Sequence, residues 1–125
     1  MPLLSVIIPV YNEVSTVKEN LAKNTAVDLD KEIIVVDDGS SDGTTVFLSQ
    51  IKDKNIKIIY CARNRGKGAA FLTGIENASG KFIIPQDADL EYDPQDYVAL
   101  VGYAVKFNLP VVYGSRFLKS WRTTY

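Results

Sequence analysis

The hydrophobic pattern of the chain predicts strands that alternate with helices. Apolar runs rich in β-branched residues, without polar alternation, are typical of strands covered on both faces. Such runs occur at Leu4–Val10, Glu32–Val36, Ile56–Tyr60, Lys81–Ile84 and Val111–Tyr113. Segments with a helical pattern separate them: after Glu13 to about Lys23, Thr44–Lys52, Ala69–Ala78, and Pro94 to about Phe107. This alternation predicts an α/β fold with right-handed crossovers, a mainly parallel sheet and helices on both faces.

Local signals refine two of these helices. In the segment Thr44–Lys52, the spacing of Val46, Phe47 and Ile51 predicts an apolar stripe facing the core. Asp93 and Pro94 supply an N-cap followed by proline at the first helical position. The sequence therefore predicts that the last helix begins at this pair.

Composition excludes several classes of protein. The length of 125 residues fits one domain, and a net charge of −1 gives no case for nucleic acid or an anionic membrane. The chain has no histidine, so Ser-His-Asp and Cys-His catalytic pairs are absent. Cys61 is the single cysteine, which rules out an internal disulfide. No secretory signal or apolar run of transmembrane length is visible.

Three acids follow the predicted strand Lys81–Ile84. In an extended segment the side chains of Asp87, Asp89 and Glu91 share one face. Carboxylate oxygens in such a group suit Mg²⁺ or Mn²⁺. The alternative is a solvated acidic turn, but other polar clusters also follow strands, where parallel sheets bind ligands. Together these clusters favour a binding site.

The first two strands end in polar residues of different kinds. Tyr11 can lay its ring on a flat base, while Asn12 and Glu13 either contact base edges or orient the loop. Alternatively, Tyr11 covers the core and its two neighbours only start the helix. After the second strand, one of Asp37 and Asp38 is expected to face a ligand, with Asp38 favoured, and the other to hydrogen-bond the following turn.

Two basic segments suit phosphate groups. Arg63–Gly68 combines cations, glycines and a helix N-terminus, although a solvated basic turn is the competing interpretation. The segment has neither the sequence of a Walker A motif nor the position of a dinucleotide-binding glycine motif. Arg116, after the last predicted strand, can clamp a second phosphate through its planar guanidinium group.

Taken in order, these motifs resemble family 2 glycosyltransferases. The matching segments are Pro9–Glu13, Val36–Thr44, Asn64–Gly68, Asp87–Asp89 and Gly114–Phe117. The last two resemble the polyprenyl-phosphate branch, which includes dolichyl-phosphate mannose and glucose synthases. The resemblance implies a Rossmann-like GT-A fold and an inverting, metal-dependent hexosyltransferase. It also implies UDP-glucose or GDP-mannose as the donor, and a polyprenyl phosphate or glycan as the acceptor.

The resemblance also implies a role for individual residues. Base and ribose would be held by Pro9, Tyr11, Glu13 and Asp38, and Lys67 would lie near the donor phosphates. Asp87 and Asp89 match the Asp-x-Asp pair that binds the metal, with Glu91 as a further ligand. Asp87, Asp89 and Arg116 would form the catalytic group, with Arg116 meeting the acceptor phosphate.

The resemblance further predicts how the chain is divided. Residues 1–118 would form the nucleotide-sugar-binding domain, and residues 119–125 would begin an acceptor-facing, membrane-proximal region. Membrane association, at the cytoplasmic face, would come only through that region. The chain as given would then hold the donor half of the site and is expected to lack a complete acceptor site.

Three other functions compete with glycosyl transfer. A nucleotide-sugar-binding module without turnover would share the same donor motifs. A phospho-receiver domain also gathers acids at strand ends, but its paired acids should follow the first strand, whereas Asp37 and Asp38 follow the second. A sugar nucleotidyltransferase should carry a glycine-rich segment after the first strand, where this chain has Tyr11, Asn12 and Glu13.

Overall fold

Strands and helices alternate along the chain as the hydrophobic pattern predicts. The computed structural model describes residues 2–86 and 94–107. The elements in this part are β1 (Leu4–Val10), α1 (Val17–Ala26), β2 (Lys31–Asp37), α2 (Thr44–Ser49), β3 (Ile56–Tyr60), α3 (Lys67–Glu76), β4 (Phe82–Pro85) and α4 (Asp96–Phe107). The predicted strand Val111–Tyr113, the cap residue Asp93 and the boundary at residue 118 lie outside the described residues. No helix in the described ranges is long and apolar enough to cross a membrane.

The described strands form a parallel sheet in the order β3-β2-β1-β4. β1 is a central strand, paired with β2 on one side and β4 on the other, and helices on the two faces of the sheet bury its β-branched residues. In the register, Val10 pairs with Asp37, and Asp37 pairs with Tyr60. The ends of the first three strands therefore lie level, and the loops that follow them share one edge of the sheet.

Helices cover both faces of this sheet, as predicted. Alternate residues of a strand point to opposite faces, so β1 contributes to two apolar clusters. Its even-numbered residues, with Val6 and Ile8 at the centre, pack with residues of α1, α2 and α4. Ile7 packs on the other side with Ala70 of α3. A Cβ atom added to Gly74 of α3 would lie 2.3 Å from Cγ2 of Ile7, so glycine allows this helix to approach the sheet closely.

The apolar stripe predicted for α2 is partly wrong. Val46 is 63% exposed, whereas the buried residues of this helix are Thr44 and Leu48. Residues four apart lie on the same side of a helix, and a residue two positions away lies on nearly the opposite side. Phe47 and Ile51 do pack against the core. The helix also ends at Ser49, before the predicted Lys52.

A hydrogen-bonded cluster joins the strands at the amino-terminal edge of the sheet. The Ser5 hydroxyl donates to Oε2 of Glu32 at 2.5 Å, and the same oxygen accepts from the N–H and hydroxyl of Ser79. Ser5 Oγ in turn accepts from the N–H of Gly80 at 2.8 Å. Burial disfavours the charge on Glu32, but the hydrogen bonds from Ser5 and Ser79 outweigh it and hold the pKa of this carboxyl below its usual 4.5.

We predict that this carboxylate makes the fold sensitive to acid. Because its folded pKa is lowered, its contribution is present above about pH 4.5 and is lost as the pH falls through the folded value. Glu32→Gln should lower the free energy of unfolding at pH 7 by about 1 kcal/mol, a charged hydrogen bond discounted for solvent screening. Urea unfolding at pH 3 to 7 measures this. The difference from wild type should shrink at low pH, and exposed Glu76→Gln is the matched control. A difference that is constant with pH would contradict the prediction.

Candidate functional site

Three connecting segments meet at the carboxyl-terminal edge of the sheet. They are the β1–α1 loop (residues 11–16), the β2–α2 turn (residues 38–43) and the β3–α3 loop (residues 61–66). Backbone hydrogen bonds continue the sheet into them: Asp38 donates to the carbonyl of Val10, and Cys61 donates to that of Asp37, each at 2.8 Å. The starting points of the three segments are therefore fixed relative to one another.

Asp37 holds the β2–α2 turn closed. It is 2% exposed. Its Oδ1 accepts from the N–H of Ser40 at 3.0 Å, and its Oδ2 accepts from the hydroxyl of Thr45. These donors stabilise a charge that burial would otherwise disfavour. The prediction that one acid of the pair fastens the turn is confirmed, and that acid is Asp37.

Asp38 joins the same turn to the β3–α3 loop. It is also 2% exposed, and its two carboxylate oxygens accept from the N–H groups of Arg65 and Gly66, each at 2.9 Å. Each oxygen retains further lone-pair capacity, so these bonds do not exhaust the carboxylate as an acceptor. Its contact with a ligand stays a prediction, but its structural contact with the basic loop was not foreseen.

Two glycines permit this close approach of turn and loop. Gly39 has φ +77°, and an added Cβ atom would lie 2.7 Å from both the carbonyl carbon of Arg63 and the backbone nitrogen of Asn64. Gly66 has φ +101° immediately before α3, a conformation that disfavours L-residues with a side chain. The β3–α3 loop can thus cross the turn and enter the helix within a few residues.

A second set of contacts, here called the loop clasp, joins the β1–α1 loop to the β2–α2 turn and the first residue of α2. It consists of four hydrogen bonds: Asn12 N–H to Ser40 Oγ (2.9 Å), Ser41 N–H to Asn12 Oδ1 (2.7 Å), Glu13 N–H to Thr44 Oγ1 (3.1 Å) and Val14 N–H to Asp42 Oδ2 (3.2 Å). The partners are 28 to 31 residues apart in sequence. The clasp therefore connects two loops that the chain itself does not hold together.

Asp42 and Thr44 hold one end of the loop clasp. Oδ1 of Asp42 accepts from both the N–H and the hydroxyl of Thr44. The Thr44 hydroxyl, with smaller help from the N–H groups of Thr44 and Val14, holds the pKa of the Asp42 carboxyl below its ordinary value. Sequence reasoning missed this role. The available signal was the order Asp42-Gly43-Thr44 before a helix, a typical helix-start pattern.

Five of the residues that the resemblance assigns to a ligand lie at this edge. Tyr11 is 47% exposed, so the alternative in which it covers the core is wrong. Glu13 is half-buried, and its Oε2 accepts from the hydroxyl of Thr16 at 3.0 Å near the start of α1. Lys67 is exposed at the first residue of α3, Pro9 is half-buried in β1, and Asp38 is buried between turn and loop. Whether they bind a ligand stays a prediction.

The predicted metal ligands and catalytic residues belong to segments outside the described ranges. Asp87, Asp89, Glu91 and Arg116 lie outside the described residues. The last described residue before the acids is Gln86, which is 4% exposed and donates its N–H to the carbonyl of Ile7 at 2.9 Å. The strand that leads to the acidic segment is thus held against β1, the strand that leads to Tyr11.

A cleft of about 210 Å³ lies beside the β3–α3 loop. Its lining includes Asp38, Cys61, Arg63, Arg65 and Thr73. The lining thus combines an acidic residue, two basic residues and a threonine whose hydroxyl donates to the carbonyl of Ala69.

Sequence comparison identifies a family match over nearly the whole chain. Residues 5–125 match the family model "Glycosyl transferase family 2". The chain is 41% identical over 108 residues to the undecaprenyl-phosphate 4-deoxy-4-formamido-L-arabinose transferase of Salmonella paratyphi A, a match that covers 81% of this chain and 33% of the relative. The Aeromonas hydrophila protein of the same name is 35% identical over 111 residues, covering 83% and 34%. This chain therefore spans about a third of the length of these relatives.

Solved structures share the fold. S. aureus TarS, which has also been crystallised with UDP, superposes with a TM-score of 0.72 at 26% identity, covering 82% of this chain and 32% of that one. The mannosyltransferase PcManGT from Pyrobaculum calidifontis, in complex with GDP-Man and Mn²⁺, superposes with a TM-score of 0.68 at 30% identity, covering 78% and 30%. With these neighbours and the parallel sheet, the expected GT-A fold is confirmed.

We predict that the crossing of turn and loop depends on Gly39. Gly39→Ala should lower the free energy of unfolding by about 2–4 kcal/mol, because a left-handed conformation and an overlap with backbone atoms add together. Gly68→Ala is the matched control, since an added Cβ atom there meets nothing within 4 Å. That change should be neutral or slightly stabilising in the helix. Thermal and urea unfolding measure both variants, and equal stability of the two would contradict the prediction.

Proposed function

This chain belongs to glycosyl transferase family 2, and from that premise we propose that it supplies the donor-binding part of an enzyme that transfers a sugar to a polyprenyl phosphate. The sugar would come from a nucleoside diphosphate sugar. The relatives that are named as undecaprenyl-phosphate transferases support this proposal, and the chain spans about a third of their length.

The observation that carries the proposal is the joining of three loops at one edge of the sheet. Asp38 connects the β2–α2 turn with the β3–α3 loop, and the loop clasp connects that turn with the β1–α1 loop. Tyr11 and Lys67 are exposed on this framework. An aromatic ring suits a base, and a lysine at a helix N-terminus suits a diphosphate. Together they match the two ends of a nucleoside diphosphate.

The donor is proposed at the level of its chemistry. UDP and GDP-Man are the nucleotides found in two similar structures, so uridine and guanosine diphosphate sugars are both candidates. UDP-glucose and GDP-mannose remain the proposed hexose donors. The relatives are named for 4-deoxy-4-formamido-L-arabinose, which adds a nucleotide-linked form of that sugar to the donors worth testing.

Asp87 and Asp89, with Glu91, remain the proposed ligands of Mg²⁺ or Mn²⁺, and PcManGT was solved with Mn²⁺. Such an ion would neutralise the charge that develops on a diphosphate leaving group. A phosphate monoester acceptor is already anionic near neutral pH, so it can attack without a strong general base. The absence of histidine from the chain fits this kind of acceptor. Arg116 is proposed to meet the acceptor phosphate, at the cytoplasmic face of a membrane.

We predict metal-dependent donor binding. Calorimetric titration with UDP-glucose and GDP-mannose, each with and without Mn²⁺, should show one donor binding at least about tenfold more tightly with the metal, since a charged contact to phosphate is worth more than 1.4 kcal/mol. Asp89→Asn should abolish this difference. Asp28→Asn, an exposed acid between α1 and β2, is the matched control and should bind as wild type does. Binding that is equally tight without metal would contradict the assignment of Asp89.

We further predict that transfer requires a phosphorylated acceptor. In the whole enzyme of which this chain would be the donor-binding part, undecaprenyl phosphate should accept sugar from a radiolabelled donor and undecaprenol should not. The rate should fall below about pH 6, because the acceptor phosphate then becomes protonated. Arg116→Ala should raise the KM for the lipid phosphate more than it changes the KM for the donor. Donor binding with no transfer to either lipid would favour the alternative of a binding fragment without turnover.

A further inference from the structure

The loop clasp has a consequence for the exposed ring of Tyr11. We propose that Asn12 is a positioning residue, which fixes Tyr11 for contact with the nucleotide base by fastening the β1–α1 loop to the β2–α2 turn. The inference rests on the proposed function, because it assigns a role within the same donor site. Asn12 itself need not touch the ligand.

The backbone of Asn12 is in a conformation that few residues adopt. It is the non-glycine residue with positive φ (+51°) in the described part of the chain. This left-handed region is strained for most L-residues, and asparagine is among the residues that tolerate it best. The conformation lets Asn12 use both its N–H, to Ser40 Oγ, and its side-chain Oδ1, to the N–H of Ser41. Sequence alone shows that asparagine is suited to such a position, but not what it contacts.

The position of Tyr11 depends on its two neighbours. Val10 is 1% exposed, and its carbonyl accepts from the N–H of Asp38, so the residue before Tyr11 is held by the sheet. Asn12 is held by the clasp on the other side. With 47% of its surface exposed, the tyrosine is only partly fixed by packing of its own. The backbone on both sides therefore sets the direction of the Cα–Cβ bond from which the ring extends.

The positioning role of Asn12 can be separated from the folding of α1, because the clasp contains two further hydrogen bonds. Glu13 N–H bonds to Thr44 Oγ1, and Val14 N–H bonds to Asp42 Oδ2, independently of the Asn12 side chain. These two bonds hold the start of the helix. Loss of the Asn12 side chain should therefore loosen the turn at Tyr11 while the helix stays in place.

The test compares three variants by calorimetric titration with UDP and with GDP in the presence of Mn²⁺. Asn12→Ala should weaken binding of the nucleotide that wild type accepts by about five- to tenfold, the worth of one or two hydrogen bonds. Asn12→Asp keeps an acceptor for Ser41 and tolerates positive φ, so it should restore affinity to within about threefold. Asn55→Ala, an exposed asparagine before β3, is the matched control and should bind as wild type does.

A double-mutant cycle with Tyr11→Ala distinguishes positioning from a general loss of stability. If Asn12 acts through Tyr11, Asn12→Ala should have no further effect on affinity once the ring is removed. Additive losses of affinity would overturn the inference, as would full affinity of Asn12→Ala. Loss of the thermal unfolding transition identifies a variant that does not fold. If Asn12→Ala does not fold, Asn12→Gly is tested in its place. If folded wild type bound neither nucleotide, the proposed function would fail and this inference with it, whereas binding with additive losses overturns the inference alone.

Discussion

Two adjacent carboxylates buried at the end of one strand impose the constraint on which the site depends. Asp37 and Asp38 are each 2% exposed, and a buried charge must be matched by hydrogen-bond donors. Asp37 obtains its donors from its own turn and from Thr45 of α2, and Asp38 obtains them from the loop after the next strand. The turn must therefore curl back and the basic loop must cross over it. Gly39 is the residue whose missing side chain makes that crossing possible.

The same constraint decides which backbone groups remain for a ligand. Asp38 uses the N–H groups of Arg65 and Gly66, which would otherwise face solvent just before α3. An anionic ligand at this helix must then rely on the N–H groups of the first helical turn and on cationic side chains. Lys67, exposed at the first residue of α3, is the side chain proposed for that role. Because Asp38 occupies the N–H groups of Arg65 and Gly66, these two groups do not serve as donors to a ligand.

Local patterns in the sequence were sufficient to predict most of the described fold. β-Branched runs predicted the four described strands, and the strand–helix alternation predicted the parallel sheet, because both signals depend on burial along a short segment. The prediction that Val46 of α2 faces the core was wrong, since a helix of six residues has too few turns to define an apolar stripe. The division of roles between Asp37 and Asp38 was half predicted. The turn contact is local, whereas the contact with the basic loop spans 27 residues.

That Asn12 and Glu13 orient the loop was one prediction from the sequence, but the partners of the clasp could not be predicted because they are distant in sequence. Its partners are about 30 residues apart, and their alignment depends on the register of β1 against β2 and on the left-handed backbone of Asn12. Asn12 and Asp38 bond to backbone N–H groups within the framework, and Tyr11 and Lys67 are exposed at its surface. A framework that is ordered before binding reduces the entropy that a ligand must overcome. Two exposed side chains on fixed backbone can therefore form a specific site without a deep pocket.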